Sequence, residues 1–178
     1  MKFLRIFCIL LIPCASFSQS EGTLLTSLEP LELIVGTWHG EGWIINKNGE
    51  KKRFSQTEVI KSKVNGQVLL IDGLGYAIED SVVTDQVIHD VVGMILIEPD
   101  RGHATMMSIL EGQGRSEVDL YMLEDGKSFQ WSFTVPETEI TVRFTEDLSQ
   151  ENRWVGTGEV LLTQDQSYTF FEMILYRQ

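Results

Sequence analysis

The sequence predicts an all-β protein: a single antiparallel up-and-down β-barrel of about ten strands, with a short N-terminal helix closing one end. Three observations carry that expectation. Apolar and polar residues alternate with period two through most of the chain. The links between segments are often two to four residues, too short for the crossover that a parallel pair needs. Beyond Gly36 no long stretch keeps a helical period.

Residues 1–18 come before the barrel and read as a secretory signal. Lys2 and Arg5 form a positive head, Phe7–Ile12 is an unbroken apolar run, and Ser16 and Ser18 set small side chains before a cut ahead of Gln19. The apolar run is too short for a permanent anchor. The barrel domain is expected over 19–178, exported to the periplasm or the exterior. Leu11-Ile12-Pro13-Cys14 offers a lipid anchor on Cys14 as the lesser reading, since Pro13 stands where a small residue belongs. Cys8 and Cys14 both fall in this segment. The mature chain then has no thiol, which excludes disulfides, thiolate metal sites and a cysteine nucleophile.

The helix comes next. Ser27 is placed to cap it, Pro30 suits its first turn, Leu28, Leu31, Leu33 and Ile34 give it an apolar side, and Gly36 ends it. Ten strand segments follow: Trp38–Asn46, Lys52–Lys61, Gln67–Ala77, Gln86–Ile97, Ala104–Leu110, Glu117–Leu123, Phe129–Val135, Ile140–Thr145, Arg153–Thr163 and Ser167–Arg177. The clearest pair is Phe129, Trp131, Phe133 and Val135, then Ile140, Val142 and Phe144, joined by Pro136-Glu137-Thr138-Glu139 at hairpin length. Asn48-Gly49, Asn65-Gly66, Asp100-Arg101-Gly102, Gly112–Gly114, Asp125-Gly126 and Asp165-Gln166 mark turns.

Ten antiparallel strands either close or expose two edges, and closure is the economical solution. A two-sheet sandwich is the alternative. An outer-membrane barrel would need an apolar outward band, whereas Gln130, Ser132, Thr134, Thr141, Arg143 and Thr145 suit water. No other stretch approaches a membrane-spanning helix. The chain has 178 residues and a formal charge of −12, with 26 acidic residues. Such acidity argues against nucleic acid or an anionic membrane as a partner, because phosphate binding needs clustered Lys and Arg.

Gly36-Thr37-Trp38-His39-Gly40-Glu41-Gly42 resembles the first-strand signature of the calycin barrels, in which Gly-x-Trp follows a short helix. With its spaced glycines it is most similar to nitrobindin-type barrels and to lipocalin-like secreted bacterial domains of uncharacterised function. The resemblance implies that a basic residue on the last strand, here Arg177, covers Trp38 and closes the barrel. Nitrobindin-type barrels hold haem through a histidine on the last strand. Ser167–Arg177 contains none, so no cofactor is expected, and haem stays a lesser reading through His39, His89 or His103.

The alternation places Phe129, Trp131, Phe133, Val142, Phe144, Phe171 and Met173 on the lumen face, with Ile140, Leu175 and Arg177 on the same register. His103 and Met107 are taken as further ligand-contacting candidates, beside Met94 and Thr105, from strands whose faces the pattern leaves open. Aromatic and methionine side chains suit an adaptable apolar cavity, so the expected partner is a small, largely apolar molecule. Gly40, Gly42, Gly156 and Gly158 leave gaps in that wall. His39 and Glu41 share a strand face without a third metal ligand, and no metal site is assigned. No Gly-x-Ser-x-Gly elbow or phosphate loop is present, and no catalytic residue is assigned. Two alternatives remain. One is an isomerase or lyase that uses lumen acid–base groups, with Glu58, Arg143, Tyr168 and Glu172 as strand residues to examine. The other is an envelope interaction module with a filled barrel.

Overall fold

The computed structural model describes residues 22–178 except 113, 136, 137, 139, 164 and 165. The expected signal segment with Cys8 and Cys14, the Pro136–Glu139 link apart from Thr138, and the turn positions Gln113 and Asp165 lie outside them.

Twelve antiparallel strands form one sheet. They are β1 (Thr23–Leu24), β2 (Gly36–Ile45), β3 (Lys51–Lys63), β4 (Val68–Glu79), β5 (Val82–Glu98), β6 (His103–Leu110), β7 (Gly114–Asp119), β8 (Tyr121–Met122), β9 (Ser128–Thr134), β10 (Thr141–Asp147), β11 (Arg153–Thr163) and β12 (Gln166–Arg177). Their order is β1-β8-β9-β10-β11-β12-β2-β3-β4-β5-β6-β7, so the sheet curls into a nearly closed barrel. The first long strand pairs with the last, from Phe171 opposite Ile44 to Arg177 opposite Trp38.

The expectation of about ten strands is corrected to twelve, and the two additions share a cause. The segment expected as Glu117–Leu123 breaks at Leu120, which is fully buried. Before the break β7 pairs with β6, and after it β8 pairs with β9 and β1. The Leu120 N–H donates to the Ala104 carbonyl at 3.1 Å, and its own carbonyl accepts from Leu25 N–H at 3.0 Å. Leu25 in turn accepts from Ala104 N–H at 2.6 Å. One bent stave and the residues around β1 therefore stitch the seam, and the exposed edge that a flat sheet would carry is largely consumed.

The helix is also corrected. Glu29–Ile34 forms a single 3₁₀ segment and no α-helix occurs among the described residues. Leu28, not Ser27, occupies its N-cap position. Six residues are too few for a stable α-helical nucleus, and packing holds the tighter turn instead. Leu31 and Ile34 are buried in the core with Trp38, Ile60, Leu69, Ile95, Leu120, Trp154 and Leu175.

Trp38 joins this floor to the sheet. Its Nε1–H donates to the Ile34 carbonyl at 2.7 Å, and Trp154 meets it edge-on with ring centroids 5.7 Å apart. The Arg177 guanidinium lies over the indole at 4.3 Å and donates to the carbonyls of Leu33 and Val35, each at 2.6 Å. Those carbonyls end the helix and would otherwise lack intrahelical partners. Gly36 is needed here: its φ is +144°, and a Cβ would stand 2.5 Å from Arg177 Nη1.

Arg177→Met keeps the length of the stem but loses the charge and both hydrogen bonds. It is expected to destabilise the fold by about 2–4 kcal/mol, read as a lower urea midpoint with unchanged slope.

Candidate functional site

Register divides the inner wall into tiers. Lowest, Trp154 lies opposite Leu175, and Leu175 opposite Gly40. Above, Phe129, Glu146, Gly156, Met173 and Gly42 follow one another across β9, β10, β11, β12 and β2. Above these, Trp131, Phe144, Gly158, Phe171 and Ile44 repeat the sequence, and Phe133, Val142 and Val160 form the rim. The inward glycines make room for large neighbours. A Cβ on Gly158 would meet Phe144, Phe171 and Phe170 within 3.1 Å, and one on Gly42 would enter the Phe54 ring.

The aromatic tier is a connected group of rings. Trp131 stacks on Phe144 with centroids 4.2 Å apart, Phe144 meets Phe171 and Phe170 edge-on at 5.8 and 5.7 Å, and Phe54 stacks on Phe171 at 5.7 Å. Trp131, Phe144 and Phe171 are half-buried and Phe133 is 37% exposed, so this end of the barrel is far less sealed than the floor around Trp38. Phe170 was not anticipated. A register shift between Gly158 and Glu159 lets two consecutive phenylalanines reach the same cluster, which strict alternation forbids.

Phe129, Trp131, Phe133, Val142, Phe144, Phe171 and Met173 thus fall on one continuous inner surface. His103 and Met107 do not. On β6 it is Ala104 and Met106 that pack inward, opposite Ile97 and Ile95. His103 stands outside with Nε2 2.9 Å from Asp119 Oδ1, and Met107 Sδ accepts from Arg115. Thr105 and Met94 share that register, Met94 exposed and Thr105 buried. There Leu70, Met94, Val92 and Ile109 lie side by side across β4, β5 and β6 and are exposed. Both faces of β6 carry apolar residues, so period two alone does not say which is inside. Arg143 also faces outward, bonded to Glu159 at 2.8 Å, as does Glu172, which accepts from Trp43. His39 is outside as well, against the Thr57 hydroxyl.

Beneath the aromatic tier the interior is polar: Glu58, singled out from the sequence as a lumen acid–base candidate, is buried there, whereas Gln56 and Glu146 were not singled out. Glu58 and Gln56 on β3 and Glu146 on β10 are all buried. Gln56 Nε2 donates a short hydrogen bond to Glu58 Oε1. His89 Nε2 lies 3.5 Å from the same oxygen, at ion-pair distance without hydrogen-bond alignment. The Trp154 Nε1–H donates to Glu146 Oε2 at 2.7 Å. Each carboxylate occupies space left by a glycine. A Cβ on Gly73 would stand 2.5 Å from Glu58 Oε1, and one on Gly156 would stand 2.8 Å from Glu146 Oε2. Burial pushes the Glu146 carboxyl up to about 8, and the charge of Glu58 adds to the rise, while the indoles of Trp154 and Trp131 act the other way. Glu146 was legible in principle: it continues the Val142–Phe144 alternation by one step.

No protein-family model matches the chain, and no curated protein sequence matches it. Similarity appears in solved structures. Rv2717c from M. tuberculosis superposes with a TM-score of 0.63 at 12% identity, covering 87% of this chain and 99% of that one. The S-type phycobiliprotein lyase CPES from Guillardia theta superposes with a TM-score of 0.58 at 12% identity, covering 85% and 93%. At that identity the likeness is one of fold. The chain shares the antiparallel β-barrel fold of these two proteins.

Because the folded-state value for Glu146 lies above the ordinary 4.5, the native state holds this proton more tightly than the unfolded chain. The stabilisation is complete below about pH 4.5 and is lost as pH rises through about 8. Thermal melts from pH 5.5 to 8.5 should therefore show a falling midpoint in the native protein and a clearly flatter profile in Glu146→Gln. Parallel profiles would contradict the assignment.

Proposed function

We propose that this barrel binds a small, largely apolar ligand at the ring-lined end of its lumen. The observation that carries the reading is the connected group Trp131, Phe144, Phe170 and Phe171, half-open beside an exposed Phe133, at the end away from the sealed floor. Rings left partly in water are held apart from solvent by a partner of the same character, and flat apolar molecules stack on them at about 0.5–1.5 kcal/mol per ring beyond area burial. Val142 and Met173 supply the aliphatic wall, and Met173 adapts its shape to the guest. Two open hollows lie elsewhere on the surface, one around Glu41, Trp43 and Glu172 and one around Ser27, Glu32 and Gln67, and neither includes these rings.

An acid–base reading, isomerase or lyase in type, is favoured by a separate observation: two buried carboxyl groups face one interior, one of them raised to about 8, beside His89. A group with such a value holds a proton near neutrality and can give it up. That a protein of the same fold is a phycobiliprotein lyase is consistent with chemistry on such a barrel.

We also propose that the protein is exported with residues 1–18 removed, a reading supported by the Lys2 and Arg5 head and the apolar run Phe7–Ile12. Expressed in a bacterial host, the full chain should yield a product beginning at Gln19 in the periplasmic fraction. A lipid-linked N-terminus at Cys14 would indicate the anchored form instead. An intact Met1 in the cytosol would overturn export.

Ligand binding is tested with 1-anilinonaphthalene. It should raise the melting midpoint and quench the fluorescence of Trp131, and Trp131→Phe should lose most of that quenching. Phe133→Asp, at an exposed position where folding is spared, should weaken binding about tenfold, equivalent to ~1.4 kcal/mol. No melting shift with any apolar aromatic, or equal affinity in the Phe133→Asp protein, would remove the proposal.

A further inference from the structure

We infer that the ligand of this lumen carries a positively charged, hydrogen-bond-donating nitrogen, an ammonium or amidinium on an apolar body, and that this nitrogen seats against Glu58, Gln56 and Glu146 below the aromatic tier. The inference rests on the ligand-binding reading above and adds the chemistry of the ligand's inner end.

The argument begins with unpaired atoms. Glu58 Oε2 and Gln56 Oε1 are buried and have no hydrogen-bond partner, although their residues are only 5% and 3% exposed. Both atoms only accept. The donors beside them are already committed: Gln56 Nε2 to Glu58 Oε1, and Trp154 Nε1 to Glu146 Oε2. His89 Nε2 remains without a hydrogen bond. A buried acceptor without a donor is costly, more so when it is charged. A fold that retains two such atoms side by side, with a second buried carboxyl close by, carries a deficit of hydrogens and of positive charge in one place.

The deficit is built in rather than incidental. Gly73 and Gly156 each leave the volume that a carboxyl group occupies, so the wall is shaped around both acids. Among the described residues no lysine or arginine pairs with either acid. Arg143 is turned outward to Glu159, Arg53 pairs with Glu41, and Arg177 is spent on Trp38 and the helix carbonyls. Among the described residues no group of three His, Asp or Glu side chains is arranged to hold a metal ion, so the missing charge is not that of a protein-caged metal. A ligand N–H supplies what is absent. An ammonium carries three donors and an amidinium presents a pair, which suits acceptors offered by two neighbouring side chains of one strand. A cation arriving beside Glu146 also favours its ionised form, so binding near neutral pH should expel a proton.

The depth of the site fits this chemistry. Glu146 lies one register step below Phe144, and Phe129 and Met173 share its tier. A ligand whose aromatic body lies among Trp131, Phe144 and Phe171 thus has its inner end at the Glu146 tier, while Gln56 opposite Gly40 and Glu58 opposite Trp38 lie one and two register steps lower on β3, with the Glu58 charge still felt at Glu146. The rings add to the preference, since the quadrupole of an aromatic face attracts a cation, more strongly when it is desolvated.

The test compares three probes of one shape: 2-naphthylmethylamine, 2-naphthylmethanol and 2-naphthoate, titrated by calorimetry at pH 7 in two buffers of different ionisation enthalpy. The amine should bind at least about tenfold tighter than the alcohol, with the carboxylate weakest. Amine binding should release protons and alcohol binding should not. In Glu58→Gln the preference for amine over alcohol should fall below about threefold, with alcohol affinity unchanged. Glu146→Gln, the second variant should the first fail to fold, should abolish proton release. Equal affinity of amine and alcohol for the native protein would overturn the inference while leaving apolar ligand binding intact. No binding of any of the three would remove both.

Discussion

Arg177 lies across Trp38 and gives both arms of its guanidinium to carbonyls of the 3₁₀ segment. Through that single side chain the last strand, the first long strand and the floor become one unit. Without it the β12–β2 ladder and the packing of Leu31 and Ile34 would remain, but the Leu33 and Val35 carbonyls would lose their donor and the Trp38 indole its covering cation. The rest of the barrel is graded from this point. The floor is dry and densely packed, with Leu31, Leu120 and Leu175 fully buried, and the opposite end keeps rings in partial contact with water.

A closed sheet has a limited inner volume, and the chain manages it by setting glycine against bulk. Gly42 admits Phe54, Gly158 admits Phe144, Phe170 and Phe171, Gly156 admits Met173 and Glu146, and Gly73 admits Glu58. The last two pairings are the informative ones. Glycine beside a large apolar ring is a packing solution, whereas glycine beside a buried carboxylate makes room for a group that costs free energy to bury. Stability alone favours neither Glu58 nor Glu146 at its position. Their burial beneath a half-open ring cluster, Glu58 at the level of Trp38 and Glu146 one step below the rings, is what turns a packed barrel into a candidate binding site.

The two halves of the site have different physical characters. The rings offer area, polarizable faces and tolerance for many shapes, which confers affinity with little selectivity. The acids beneath offer direction and charge, and a group that fails to satisfy them is penalised. Selectivity in such a site comes chiefly from the polar end, because an unpaired buried acceptor discriminates more strongly than a few ångströms of apolar fit.

Much of the wall was legible from residues alone. Phe129, Trp131 and Phe133 alternate strictly with polar neighbours, and so do Val142 and Phe144, so their shared face follows from period two wherever one side meets water. Extending that step to Glu146 needed only the willingness to follow the register past an apolar residue to a charged one. The sequence also determined all-β character and short antiparallel links, while the pairing of Trp38 with Arg177 was expected only from the resemblance of its first strand to known barrels. Tertiary structure alone decided the rest, in each case because distant backbone competes with local pattern. Leu120 breaks its strand because the seam requires hydrogen bonds to Ala104 and Leu25, which lie far from it in the chain. Phe170 joins the rings because a register shift interrupts the alternation. His103 and Met107 face outward because Ile95 and Ile97 on the neighbouring strand choose Met106 and Ala104 as inner partners. The deficit at Glu58 and Gln56 is visible only when every nearby donor has been placed, since an unpaired atom is a property of its surroundings and not of the residue that bears it.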